Sequence, residues 1–150
     1  MELYYDFNKD FKEVKNIFIE EKLSEEEKEE GLEPLLYDIK VCFTNHAYHR
    51  MHDRDIDWED DIETLLLLAG NDLLTVKNKE KVAIATKDFT FVVIGHIHYQ
   101  DGNLALIIHT IIKIEQEGKE GLIELKKIGI KDVDKIIEVN YTNNNTAVVA

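Results

Sequence analysis

Cysteine occurs once in the 150 residues, proline once, and arginine only at Arg50 and Arg54. A single thiol closes no internal disulfide, and no leader-like stretch stands out, so a reducing cytoplasm is the expected setting. Long apolar runs are missing too. The longest, such as Leu65–Ala69 and Leu104–Ile112, fall far short of the ~20 residues a membrane-spanning helix needs, so no membrane partner is expected. Neither a Gly/Ser/Pro-rich linker nor an internal repeat interrupts the chain, which reads as one domain over 1–150. Positive charge is scarce as well: 18 basic side chains face 31 acidic ones, a net charge of −13. Such a chain repels nucleic acid and anionic membranes unless its few cations are gathered on one surface. At 44% apolar it has ample material for a folded core.

The acidity is uneven. Residues 1–36 hold 12 acids and 5 bases, residues 37–70 hold 8 and 3, and residues 71–150 hold 11 and 10. In the acidic part, Phe11, Val14, Ile17 and Phe18 recur at helical spacing after Asn8, predicting an amphipathic helix over 9–21. Ser24 and Glu27 have capping-box spacing and predict a short acidic helix that Gly31 and Pro34 end. Residues 1–36 thus form an acidic helical extension. Tyr37, Ile39, Val41 and Phe43 alternate with polar neighbours as in a half-buried strand. Asn45 is placed to cap a helix with Ala47 and Met51 inward. Asp57 opens another, with Ile62, Leu65, Leu66 and Ala69 as its buried stripe and an acidic first turn that suits the helix dipole.

Beyond Gly70 the pattern turns to strands at Asp72–Lys77, Lys81–Thr86, Phe89–Tyr99 and Leu104–Ile114. Short turns between them, Asp101-Gly102 above all, predict an antiparallel meander of about four strands. A last helix beyond Gly121 would carry Val133, Ile136 and Ile137, with 143–150 a frayed tail. The expected class is α+β: N-terminal helices, then an antiparallel sheet, then a C-terminal helix.

Six histidines carry most of the chemistry: His46, His49 and His52 beside the arginines, and His96, His98 and His109 on the last hairpin. If Asp101-Gly102 are the two loop residues, His98 faces Ala105, His96 faces Ile107 and Ile94 faces His109, which puts three imidazoles on one face. The opposite face is then nearly all apolar and includes Thr110 and Ile112. One extra loop residue would move His109 across the sheet. Three readings stay open for this triad. His96, His98 and His109 suit zinc with an open position for water; they suit proton transfer beside a charge-stabilising arginine; or they are polar side chains on a half-exposed sheet.

On the helix, His46, Arg50 and Arg54 lie at i, i+4 and i+8, along a face that drifts slowly around the axis. A guanidinium fork matches phosphate or carboxylate in a way lysine does not. The plain alternative is surface pairing with Asp53, Asp55 or Asp57, which contributes little.

The run Phe43-Thr-Asn-His46-Ala47-Tyr-His-Arg50-Met51-His-Asp-Arg54-Asp-Ile56 resembles the strand–His-Ala-x-x-Arg-Met-x-x-Arg-x-Ile–helix signature of the DUF4258 family. That family of small bacterial and phage domains is grouped with the RelE/barnase/colicin-type toxin nucleases. The resemblance covers about 37–114 and leaves 1–36 and 115–150 outside it. It implies a metal-independent, cofactor-free endoribonuclease-like site acting on RNA. His46, Arg50 and Arg54 match its helix motif, and Thr110 matches the polar residue of its last strand. His96, His98 and His109 join the candidate catalytic set by the hairpin arithmetic alone. That set requires the helix group and the hairpin group to meet in one cleft. The rival is a non-catalytic binder, an inhibitor or immunity protein whose acidic helices engage a basic protein surface.

Overall fold

The computed structural model describes residues 4–87, 90–113 and 133–140. Its elements run β1 (Glu13–Glu20), α1 (Glu25–Glu29), β2 (Leu36–Phe43), α2 (Asn45–Asp53), α3 (Thr64–Ala69, entered through a π-helical turn at Trp58–Glu63) and α4 (Asn71–Leu74). Four strands follow: β3 (Lys81–Thr86), β4 (Phe91–Gln100), β5 (Asn103–Lys113) and β6 (Lys135–Val139). All six strands join one sheet in the order β1-β2-β5-β4-β3-β6. The class is α+β, but the expected layout of helices followed by a four-stranded antiparallel sheet is overturned. The sheet is mixed: β2 runs parallel to β5, and β6 runs parallel to β3.

Three expected elements change type. The helix placed over 9–21 is strand β1, antiparallel to β2 from Glu13↔Phe43 to Glu20↔Leu36. This stretch fits two periods. Ile17 and Ile19 also alternate with Phe18 and Glu20, and the β-branched side chains prefer the pleated, half-buried surface that the edge of β2 offers. Asp72–Lys77, read as a strand, instead contains the single turn α4 and drops Leu73 and Val76 into the core. Ile136 and Ile137, assigned to a C-terminal helix, lie on β6, with Val133 just before it. Pairing with β3 alternates them, Ile137 inward and Ile136 outward. The rest of that helix, within 114–132, and the tail at 143–150 lie outside the described residues.

Other local readings hold. Ser24 caps α1 with its side chain on the Glu27 N–H while Glu27 reaches back to the Ser24 N–H. Asp57 caps the π-helical turn, and Ile62, Leu65, Leu66 and Ala69 are buried as expected. The cap of α2 is Thr44 rather than Asn45, its hydroxyl accepting from the Ala47 N–H at 3.2 Å.

The sheet has one helix-covered face and one open face. On the covered side, Ala47 and Met51 of α2 and the Ile62–Ala69 stripe share a single apolar cluster with Phe43, Val93, Ile97 and Ile108. On the open side, Cys42, Ala105 and Ile107 form a smaller cluster, roofed by Tyr5, Phe7 and Phe11 of the segment preceding β1. Among the described residues no helix is long and apolar enough to cross a membrane.

Candidate functional site

The hairpin register matches the arithmetic for its first six pairs, from Gln100↔Asn103 to Gly95↔Ile108, and then slips by one residue. Ile94 pairs with Thr110, so His109 is the extra residue of a β-bulge. Glycine is required opposite it, because a Cβ at residue 95 would overlap the Ile107 carbonyl. The bulge has two consequences. His109 stays on the open face, where its Nε2 lies 2.7 Å from His96 Nδ1 with the rings stacked at 4.9 Å. Thr110 and Ile112, expected among the apolar residues opposite, pair with Ile94 and Val92 and so join the histidine face; Ile111 turns into the helix-side core instead.

A nitrogen–nitrogen contact this short requires one donor and one acceptor, so the His96–His109 pair holds a single bridging proton when neutral. A second proton is resisted. Burial, reinforced by His109, His98 and Lys81, lowers the His96 pKa to about 4. Partial burial and Lys81 also depress His109, although one side of its ring meets solvent. Lys81 belongs to this set because it pairs directly with His96 across β3 and β4.

His98 is nearly fully buried, and its neighbours fix its tautomer. Gln100 donates from Nε2 to the Tyr5 carbonyl at 2.7 Å and accepts at Oε1 from the Tyr5 N–H at 2.8 Å. That oxygen also lies 2.8 Å from His98 Nε2, which must therefore carry its proton. The Tyr5 ring meets the His98 edge at 4.8 Å. Sequence reasoning missed Gln100, Tyr5 and Lys81. Gln100 was within reach, since it shares the parity of His96 and His98 on β4. The other two depend on long-range placement. Among the described residues no group of three or more His, Cys, Asp or Glu side chains is arranged to hold a metal, so the zinc reading of His96, His98 and His109 finds no support in their geometry.

On the covered side, α2 projects His46, Arg50 and Arg54 along one flank. Arg50 Nε lies 3.5 Å from His46 Nε2, and Arg54 Nη1 lies 3.4 Å from the Ile111 carbonyl of β5. Both are long, weak contacts. Among the described residues neither arginine pairs with a carboxylate, and the ion pairs are Lys15–Glu13 and Lys28–Glu25. The surface-pairing alternative with Asp53, Asp55 or Asp57 therefore fails. His49 and His52 stay exposed on the far side of α2, against the Tyr48 ring at 6.1 and 4.4 Å.

The single cleft expected for the whole set does not form. His46, Arg50 and Arg54 belong to the helix side of the sheet, while His96, His98 and His109 occupy the open side. The alternation of β4 dictates this, because Val93 and Ile97 carry the helices and His96 and His98 must point the other way. The two groups approach each other only where β2 leaves the sheet. Its ladder with β5 ends at Phe43↔Ile108, and the Thr44 N–H makes the last bond to the Ile108 carbonyl. Residues 109–113 of β5 then have an open edge, among the described residues. Arg54 reaches that edge at Ile111, two residues past His109, or roughly 7 Å along the strand at the usual rise.

Compared with protein-family profiles, curated proteins and solved structures, the chain matches none.

Proposed function

We propose that the chain is a metal-independent, ribonuclease-like domain that handles RNA phosphodiesters at the open edge of β5. The observation that carries this reading is the pair of arginines that, among the described residues, have no carboxylate partner in a chain of net charge −13, one of them aimed at the edge beside His109. Two guanidinium forks one helical turn apart form an anion site, and a phosphate is the anion they fit.

The chemistry is transesterification. The RNA 2′-oxygen attacks the adjacent phosphorus as the bond to the 5′-oxygen breaks, leaving a cyclic phosphate and a free 5′-hydroxyl. On the helix side His46, whose Nε2 accepts from Arg50, takes the 2′ proton, water protonates the leaving oxygen, and Arg50 and Arg54 stabilise the extra charge on phosphorus. His96 and His109, on the other face, do not share this phosphate. His98, locked by Gln100 and Tyr5, takes no part in proton transfer and holds the hairpin face. Incubating the protein with mixed RNA in EDTA should yield cyclic-phosphate ends, lost in Arg50→Ala and in His46→Ala. No cleavage by folded wild-type protein would overturn the proposal.

A second reading has its own support. Helix α1 buries no residue, and Glu25, Glu26 and Glu27 fill its first turn, so it projects net negative charge that the Lys28–Glu25 pair only partly offsets. That suits a non-catalytic binder of a basic protein surface. A salt-sensitive complex weakened by reversing Glu25, Glu26 and Glu29 would favour it.

A further inference from the structure

The segment ahead of β1 crosses the open face without joining the sheet. Its backbone is bonded to the sheet mainly through one side chain, Gln100, which mimics a strand by taking both the N–H and the C=O of Tyr5. Tyr4 adds a bond to Asp101 at the hairpin tip. Between these anchors and β1 the segment folds on itself: Lys9 and Asp10 donate to the Asp6 carbonyl, and the Asp10 carboxylate accepts from the Asp6 N–H. Phe7 and Phe11 then lie against the apolar floor of Cys42, Ala105 and Ile107. Lys12, whose N–H bonds to the Phe43 carbonyl, marks the hinge where sheet pairing begins.

We propose that residues 4–11 form a hinged cover that lifts from the sheet when His96, whose ring lies 6.5 Å from that of Tyr5, takes up a proton. The charged and titratable groups around it are of both signs. His96 and His98 come from β4, His109 from β5, Lys81 from β3 and Lys40 from β2. Lys40 sits over the Phe7 ring at 5.8 Å. The acids nearby are Asp6, Asp10 and Asp101 of the cover and hairpin tip and Asp134 ahead of β6, whose carboxylate accepts from the Lys81 N–H at 2.9 Å; none lies within ion-pair distance of these cations. The remaining titratable groups, Tyr5 and Cys42, are neutral, and burial raises both of their pKa values.

His109 already meets solvent, so the proton that needs water admitted beneath the cover is one on His96. The sheet can admit water only by breaking ladder bonds, whereas the cover yields its two Gln100 bonds and its aromatic contacts. Its removal bares the Cys42 floor. Group by group this is linkage: whichever conformation holds the proton more readily gains population as pH falls.

Cys42, the only cysteine and fully buried under the cover, reports the motion. The test follows its reaction with 4,4′-dithiodipyridine in the full chain, each rate divided by that of free cysteine in the same buffer. Trp58 fluorescence is recorded alongside; Trp58 packs on Phe43 on the opposite face and so reports global unfolding. At pH 7.5 the thiol should be strongly protected. At pH 5.0 protection should fall about thirtyfold with Trp58 unchanged, the size expected if uncovered His96 moves from a pKa of about 4 to an ordinary one near 6.5. Gln100→Ala should abolish protection at pH 7.5, with Tyr5→Ala as a second route to an open cover. In His96→Gln the pH response should flatten. Protection that is constant from pH 7.5 to 5.0, or lost only in step with the Trp58 signal, would overturn the proposal, as would full protection in both Gln100→Ala and Tyr5→Ala.

Discussion

Acidification tests the histidine cluster quantitatively. An unfolded His96 titrates near 6.5, while in the fold its pKa is about 4. Because the folded value is the lower one, the unfolded chain binds the proton more readily. The stability that neutral His96 contributes is complete above pH 6.5 and is lost as pH falls through about 4. A gap of this size corresponds to a ceiling of about 3–4 kcal/mol at ~1.4 kcal/mol per pKa unit. His96 is only partly buried, and solvent screening reduces the expected effect to about 1–2 kcal/mol. Wild-type stability alone would not isolate it, because protonating carboxylates in a chain of charge −13 relieves repulsion and works the other way. The informative quantity is the difference between wild type and His96→Gln, whose amide can still bond His109. Urea unfolding at pH 7.5 and pH 4.0 should show wild type losing about 1–2 kcal/mol more than the variant, roughly a 1 M difference in midpoint change. Equal losses, or a larger loss in the variant, would refute the assignment of His96 as a buried neutral imidazole.

Other consequences follow from packing and local geometry. Gly95→Ala forces a methyl into the Ile107 carbonyl and should cost about 3 kcal/mol or more in chemical denaturation. Met51→Ala opens a void between α2 and the sheet and should cost about 2–4 kcal/mol by the same measurement, with its pH dependence unchanged. Ser24→Ala removes the capping box of a helix that buries nothing. It should raise amide exchange across Glu25–Glu29 while shifting the global unfolding midpoint by less than about 1 kcal/mol.

What could be read from the sequence divides along physical lines. Capping signals are local, so Ser24–Glu27 and Asp57 were legible, as were the Ile62–Ala69 stripe and the Asp101-Gly102 turn that fixed the first six hairpin pairs. Segments whose apolar residues satisfy two periods were not. Val14–Ile19 fits a helix and a strand equally, and only pairing with β2, from Val14↔Cys42 to Ile19↔Tyr37, selects the strand. The bulge at His109 was also hidden, because it depends on the close backbone approach at Gly95 rather than on any turn residue. That single inserted residue returned Thr110 to the histidine face. Face assignment of the candidate site failed for a related reason: hairpin parity fixes which residues share a face, but not where α2 will pack. The core settled this by placing α2 over Val93, Ile97 and Ile108, opposite His96 and His98.

The central claim is that Arg50 and Arg54 receive a phosphodiester. As they are the only arginines in the chain, a proton–nitrogen NMR spectrum tuned to side-chain Nε–H groups contains two arginine signals to follow. Titration with a short single-stranded RNA bearing 2′-O-methyl groups, which blocks cleavage, should move both signals along saturable curves and shift the His46 ring signals with them. Arginine signals that stay fixed to millimolar RNA would contradict the account.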